Sequence, residues 1–390
     1  MRHIVKLVAI NALVLFIVFN VLIWTICLAT SVQNVFGTSK QQTITREVPN
    51  KASKARLPNY ASIDWAPTHF REEASLDTRY VSYFEWRRKE FEGKTITIAG
   101  PYGQRRTVGP TDATKPSVYF FGGSTMWGTG ADDANTIPSQ FAQLSGFRAE
   151  NFGESAYTAH QSLVLLIQVL QDGHRPNIVV FYDGVNEVSQ KCRTEHTPWS
   201  HAKEQFIAKA LKMKTRYDLK YMVRPLMAVA YSVRKVLFGR KHKDESKFFN
   251  CHSDPTKAQK IADNLIEDWT VARKLVESYN GKFVGILQPV SYFSKTKTDQ
   301  IAKDMTDIER KQFQAVYRLI KQKMANRPGF YDFTDVLDKP EYIYIDFCHL
   351  SPNGNKYVAQ KMLKTLEAEG TDELSQDRAL RSMQAPHSPR

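Results

Sequence analysis

The run Val118-Tyr119-Phe120-Phe121-Gly122-Gly123-Ser124-Thr125-Met126-Trp127-Gly128 fixes how everything downstream of it is placed. Four β-prone residues lead into two glycines, and a serine follows at once. A short apolar run bounded by glycine is the pattern of a buried strand. The glycines permit a sharp turn, because they reach φ/ψ values closed to a residue carrying a Cβ. Ser124 is therefore expected at the C-terminal end of a strand, where open α/β sheets bind their ligands. On this run alone, a plain strand-to-loop turn that happens to carry a serine is the alternative.

The segments that follow alternate in period. A helix is expected around Ile137 to Leu144, then a strand from Ala149 to Phe152, a buried helix from Ser162, and a strand from Ile178 to Phe181. After an insertion come a helix over Ala258 to Tyr279, a strand from Phe283, a helix over Ile308 to Ala325 and a strand at Phe330. A last helix follows Pro352-Asn353-Gly354. Such alternation implies an α/β fold with a central parallel sheet and crossover helices.

Three further segments carry groups suited to catalysis. They are Asn151-Phe152-Gly153, then Tyr182-Asp183-Gly184-Val185-Asn186-Glu187, and finally Asp346-Phe347-Cys348-His349. Serine, glycine, asparagine and histidine in that order, with Asp three residues before His, resemble the SGNH (GDSL-type) hydrolase family over residues 117 to 365. The resemblance implies a three-layer α/β/α domain. It also implies Ser124 as nucleophile, Asp346 and His349 completing a triad, and an oxyanion hole from Ser124, Gly153 and Asn186. The chemistry is coherent: a serine hydroxyl needs an adjacent base. His349 supplies the base, and Asp346 would fix its tautomer and stabilise the imidazolium. Each residue also has a structural reading: a turn glycine, a loop cap, a structural Asp–His pair. Two positions depart from the family, with Gly123 where aspartate is common before the serine and Glu187 where aspartate follows the asparagine. An α/β-hydrolase shares the order Ser, Asp, His, but Met126 stands where its G-x-S-x-G elbow needs glycine. No set of histidines has metal-ligand spacing, so neither metal nor cofactor is expected; His160, His174, His196, His201, His242 and His252 read as surface or loop residues.

Residues 7 to 30 are apolar and uncharged, long enough to span a bilayer, and Arg2 and Lys6 precede them. A retained anchor with a cytoplasmic N-terminus and an extracytoplasmic catalytic domain is expected. A cleaved signal peptide is the alternative, although its apolar region is usually shorter. The chain has 390 residues, 42% of them apolar, and a net charge of +14. Without zinc spacing, an RNP-like block or a helix-turn-helix, that charge is not read as nucleic-acid binding. Anionic lipid or an acidic polysaccharide suits it better. Of the four cysteines, Cys192 and Cys251 flank the insertion and can pair in an oxidising compartment, or be two unrelated thiols.

The expected organisation is a cytoplasmic start at 1–6, an anchor at 7–30 and a linker at 31–60. A small extension at 61–116 precedes the hydrolase domain at 117–369, which carries an insertion at 190–255, and a disordered tail covers 370–390. In the extension, Thr95-Ile96-Thr97-Ile98 and Gly100 onward suggest a hairpin. The aromatics from Tyr80 to Phe91 are packing or a sugar-binding lip. In the insertion, Phe206, Ile207, Ala210 and Leu211, then Leu226 to Leu237, recur at helical spacing among lysines and arginines. They form either a lid on the core or a surface that contacts anionic membrane. The functional expectation is an exported, membrane-anchored serine esterase acting on ester groups of carbohydrate. An O-acyltransferase with the same triad and a non-catalytic carbohydrate-binding scaffold are the rivals.

Overall fold

The structure, a computed structural model, describes residues 10–11, 14–22, 54–214 and 248–369. Two units are distinguished, one of residues 1–45 and 203–244 and the other of residues 46–202 and 245–390. Among the described residues the second contains ten strands: β1 Thr78–Val81, β2 Glu85–Arg88, β3 Phe91–Glu92, β4 Thr97–Ala99, β5 Gln104–Arg105, β6 Ser117–Gly122, β7 Arg148–Asn151, β8 Ile178–Asp183, β9 Lys282–Leu287 and β10 Phe330–Asp332. The helices are α1 Ala66–Ser75, α2 Ser124–Trp127, α3 Ile137–Ser145, α4 Ala159–Gln171, α5 Val185–Lys191, α6 Glu204–Lys214, α7 Pro255–Ser278, α8 Asp307–Met324 and α9 Pro352–Ala368.

Eight strands form one sheet in the order β10-β9-β8-β6-β7-β5-β4-β3. From β10 to β7 every pairing is parallel. Strand order reverses between β6 and β8, since β7 lies on one side of β6 and β8 on the other. In open sheets the crevice outside the carboxyl ends of the strands at such a reversal is where ligands bind. Ser124 follows β6 and Asn186 follows β8, so the two border that crevice.

The β period sorts the core into two layers. Tyr119, Phe121, Val179, Phe181 and Phe283 face one side and pack with Leu165, Leu166 and Val169 of α4, Ile261 and Trp269 of α7, and Val316 and Ile320 of α8. Val118, Phe120, Ile178, Val180 and Val284 face the other and meet Phe141 of α3 and Val358 and Met362 of α9. Strands apolar on both faces are what a parallel sheet covered by helices requires. The expected three-layer arrangement is thus present in the second unit.

The N-terminal part differs from expectation. Residues 61–116 are not a separate extension, because β3, β4 and β5 continue the main sheet antiparallel beyond β7. The expected hairpin is real, with Ile98 opposite Arg105. The segment from Tyr80 makes a second antiparallel pair, β1 with β2. Its aromatics divide, Phe84 and Trp86 being buried while Tyr80 and Tyr83 are exposed. Nor is the stretch up to residue 60 wholly a linker. Asn59 Nδ2 donates to the Tyr342 carbonyl at 2.7 Å, and Tyr60, buried, donates to the Gly130 carbonyl at 2.6 Å.

Among the described residues no helix is long and apolar enough to cross a membrane. Residues 1–6, much of the 7–30 segment, residues 31–53, residues 215–247 of the insertion and the 370–390 tail lie outside them. In the first unit α6 is helical as its periodicity implied, with Phe206 and Leu211 exposed. Cys192 and Cys251 are joined, their Cα atoms 5.2 Å apart across 59 positions of sequence. Asn250 N–H donates to the Cys192 carbonyl at 3.0 Å and Thr194 N–H to the Phe248 carbonyl at 2.9 Å, which closes the base of the insertion. Closing a loop of this length stabilises a chain by about 2–4 kcal/mol. Replacing both cysteines with serine is expected to lower the unfolding temperature by several degrees, as followed by circular dichroism. An unchanged unfolding temperature would mean that the cross-link constrains nothing.

Candidate active site

The Gly122–Gly123 turn is a close fit. Gly122 has φ +150°, and a Cβ there would lie 2.5 Å from the Tyr182 carbonyl oxygen on β8. A Cβ on Gly123 would collide with Nδ2 of Asn186. Chain direction and the Asn186 side chain therefore require glycine at both positions. Gly123 stands where the resembled pattern commonly has aspartate, and the Asn186 amide occupies the space that a side chain there would take. Ser124 then opens the single turn of α2.

His349 Nε2 lies 2.6 Å from Ser124 Oγ, and its Nδ1 lies 2.7 and 2.9 Å from the two oxygens of Asp346. The structure thus brings together the three residues expected to form a triad. Asp346 also accepts the backbone N–H of Cys348 at 3.0 Å and of His349 at 2.8 Å, which folds the loop around its own carboxylate. Burial alone would raise its pKa. His349 and Lys54 outweigh that and hold the carboxyl well below the usual range. The Lys54 ammonium stands 2.6 Å from Asp346 Oδ2. Asp346, Cys348 and His349 place three donor atoms within 4.8 Å of one another, a grouping that could hold a metal ion. Both Asp346 oxygens are nevertheless committed to the imidazole, two amides and an ammonium. Burial pushes the Cys348 thiol well up, the opposite of an activated nucleophile.

Asn186 Nδ2 donates to the Tyr157 carbonyl at 2.8 Å, leaving its second N–H for another acceptor. The carboxylate of Glu187, the other departure from the family, is buried and accepts the N–H of Gly184 at 2.9 Å and of Ala159 at 2.8 Å. It ties the start of α5, and with it Asn186, to the start of α4. Gly153 lies against α2 so closely that a Cβ would sit 2.5 Å from Trp127 N. Its own N–H donates to Asn151 Oδ1 at 3.0 Å, so an oxyanion would have to share or displace that bond. Asn151 in turn donates to the Met126 and Trp127 carbonyls at 3.1 and 3.3 Å, tying β7 to α2.

Sequence reasoning missed the bracing from residues 61–116. Trp127 is held between two guanidiniums, Arg88 and Arg105, each with its Cζ 4.3 Å from the ring centroid. Arg105 is buried and bonds Asp133 at 3.0 Å and the Ala131 carbonyl at 2.6 Å. Arg87, also buried, donates to the Phe152 carbonyl at 2.9 Å. The signal available was Glu85-Trp86-Arg87-Arg88, arginines in a strand-like aromatic run, where partners are needed if the strand is buried. Of the histidines read as surface or loop residues, His160 is in the first turn of α4, with Nδ1 2.9 Å from Asp268. His196 is buried, with Nδ1 2.7 Å from the Gln190 carbonyl.

No family model matches the sequence, and no curated protein matches it significantly. Solved structures do resemble it. Est24, a carbohydrate acetylesterase from Sinorhizobium meliloti, is 13% identical with a TM-score of 0.36, covering 65% of this chain and 99% of its own. A member of the lipolytic G-D-S-L family from Veillonella parvula is 11% identical with a TM-score of 0.36, covering 64% and 96%. A GDSL-like lipase from Bacteroides thetaiotaomicron is 14% identical with a TM-score of 0.34, covering 65% and 88%. At such distances function has to be read from the chain's own residues.

A depressed carboxyl pKa is also a statement about stability. Because the folded value lies below the unfolded value of about 3.9, the Asp346 contribution is complete above that pH and disappears as pH falls toward the folded value. Asp346→Asn is expected to be less stable than the parent by about 1–3 kcal/mol at neutral pH, with the gap closing below about pH 4. Denaturant unfolding over a pH series measures it, and a gap independent of pH would contradict the assignment.

Proposed function

We propose that the chain is a serine esterase of the SGNH type that removes acyl groups, O-acetyl foremost, from carbohydrate outside the cytoplasm. The observation that carries this reading is the continuous contact from Ser124 Oγ through the His349 ring to Asp346. Ser124 Oγ attacks the ester carbonyl as His349 Nε2 takes its proton. The tetrahedral intermediate then expels the sugar oxygen, which recovers that proton from His349. Water, deprotonated by the same nitrogen, releases the acid and frees Ser124. The oxyanion is met by Ser124 N–H and the second N–H of Asn186, with Gly153 N–H joining if it leaves Asn151. The Cys192–Cys251 bridge and the apolar segment at 7–30 support an exported protein held at a membrane. The basic insertion is suited to contact with anionic lipid.

Hydrolysis of 4-nitrophenyl acetate and release of acetate from acetylated xylan by the full chain test the reading. Ser124→Ala and His349→Ala are each expected to reduce kcat by about 10⁴ or more, since triad members act as a unit. Turnover retained by Ser124→Ala would overturn the mechanism. Asn186→Ala is expected to lower kcat by about 10²–10³ with a smaller change in KM. Gly123→Ala, which drives a methyl into the Asn186 amide, is expected to cost a similar factor. The two losses are expected not to add when combined, because both remove one group. Full additivity in that cycle would show that Gly123 acts through something other than Asn186.

A further inference from the structure

Lys54 is the first described residue of the catalytic unit, and it lies 292 positions away in sequence from the carboxylate it touches. Its ammonium reaches Asp346 Oδ2 on the side of the carboxylate not used by the backbone amides, which both go to Oδ1. Neither partner is at the open surface, the side chains being 22% and 14% exposed. The contact is also anchored from both sides. Asn59 binds the Tyr342 and Tyr344 carbonyls, just before Asp346, and Tyr60 binds the Gly130 carbonyl, just after α2. Residues 54 to 60 thus run as a strap from the loop of the base to the loop of the nucleophile.

We infer that Lys54 is a positioning residue of the triad, fixing Asp346 and opposing, by its charge, protonation of His349. The inference rests on the esterase reading. A carboxylate that faces only an imidazole favours the imidazolium. A cation on Oδ2, the oxygen nearer the imidazole, cancels part of that effect, because opposite charges placed so close interact strongly where water is partly excluded. The other titratable groups facing the pair are Glu73, Tyr60 and the Cys348 thiol, with Glu309 acting on the thiol. Glu73 is engaged with His69 at 3.3 Å and with the Gly130 N–H at 3.3 Å. Among the described residues Lys54 is the lysine in direct contact with the Asp346 carboxylate.

The test is the pH dependence of kcat/KM for 4-nitrophenyl acetate in the full chain, with Lys54→Met, Lys54→Gln, Lys54→Arg and Asn59→Ala. Removing the charge in Lys54→Met or Lys54→Gln is expected to move the acid limb upward by about one pH unit. Lys54→Arg, which keeps the charge, is expected to keep the limb within a few tenths of a unit. Asn59→Ala loosens the strap without removing the charge, and is expected to lower activity at all pH values without moving the limb. An acid limb unmoved in both neutral variants, with Ser124→Ala inactive, overturns the role of Lys54 and leaves the esterase reading intact. An active Ser124→Ala overturns the esterase reading itself. If one neutral variant does not fold, the other still decides, and the inference fails equally if Lys54→Arg moves the limb as far as a neutral residue does.

Discussion

The turn at Gly122–Gly123 is the constraint on which the rest depends. It passes between the Tyr182 carbonyl on one side and the Asn186 amide on the other, with no room for a Cβ at either residue. Because β6 and β8 are neighbours at the point where strand order reverses, this turn emerges into the crevice the fold leaves open. Ser124 follows directly, and the width of the turn fixes how near Asn186 can stand to it. Position of the proposed nucleophile and position of the proposed oxyanion donor are therefore one packing problem.

That arrangement is held by buried polar groups. Arg87, Arg88 and Arg105 reach α2 and the loop after β7 from strands β2 and β5. Glu154 is buried and accepts the Arg88 N–H at 2.8 Å, and Glu187 caps α5 from inside. A buried charge with partners rigidifies its surroundings, while one deprived of a partner is strongly destabilising. The consequence is a preorganised centre whose parts cannot drift separately. Lys54 extends the same logic to the Asp346 carboxylate from the N-terminal side.

Much of this was legible in the sequence, and the reason is periodicity. β6, β8, α7 and α8 end within a few residues of their expected limits, because continuous apolar runs and helical spacing survive in strands and helices buried on a two-faced sheet. Ser124, Asp346 and His349 were legible because short motifs sit at strand ends and on one loop. What was not legible depended on long-range pairing. The β4–β5 hairpin was expected, but not that β3 to β5, each only two or three residues long, join the sheet through β7, which lies beyond them in the chain. Lys54 looked like one basic residue among several in a polar stretch, and nothing local marks a lysine that meets a carboxylate 292 positions away. Helix α1 carries Ala66 and Phe70 inward alongside polar His69 and Glu73, which blurs its apolar face. The Gly153 amide could be counted as an oxyanion donor from sequence, but its bond to Asn151 becomes visible only when the loop is folded.

The proposed function requires Ser124 to be a nucleophile activated by His349. Intact-mass and peptide analysis of the full chain after reaction with a fluorophosphonate measures this most directly. A single adduct on Ser124 is expected, formed at a rate that falls by orders of magnitude in His349→Ala and is absent in Ser124→Ala. No adduct on the folded parent chain, or an adduct on another residue that persists in Ser124→Ala, would contradict it.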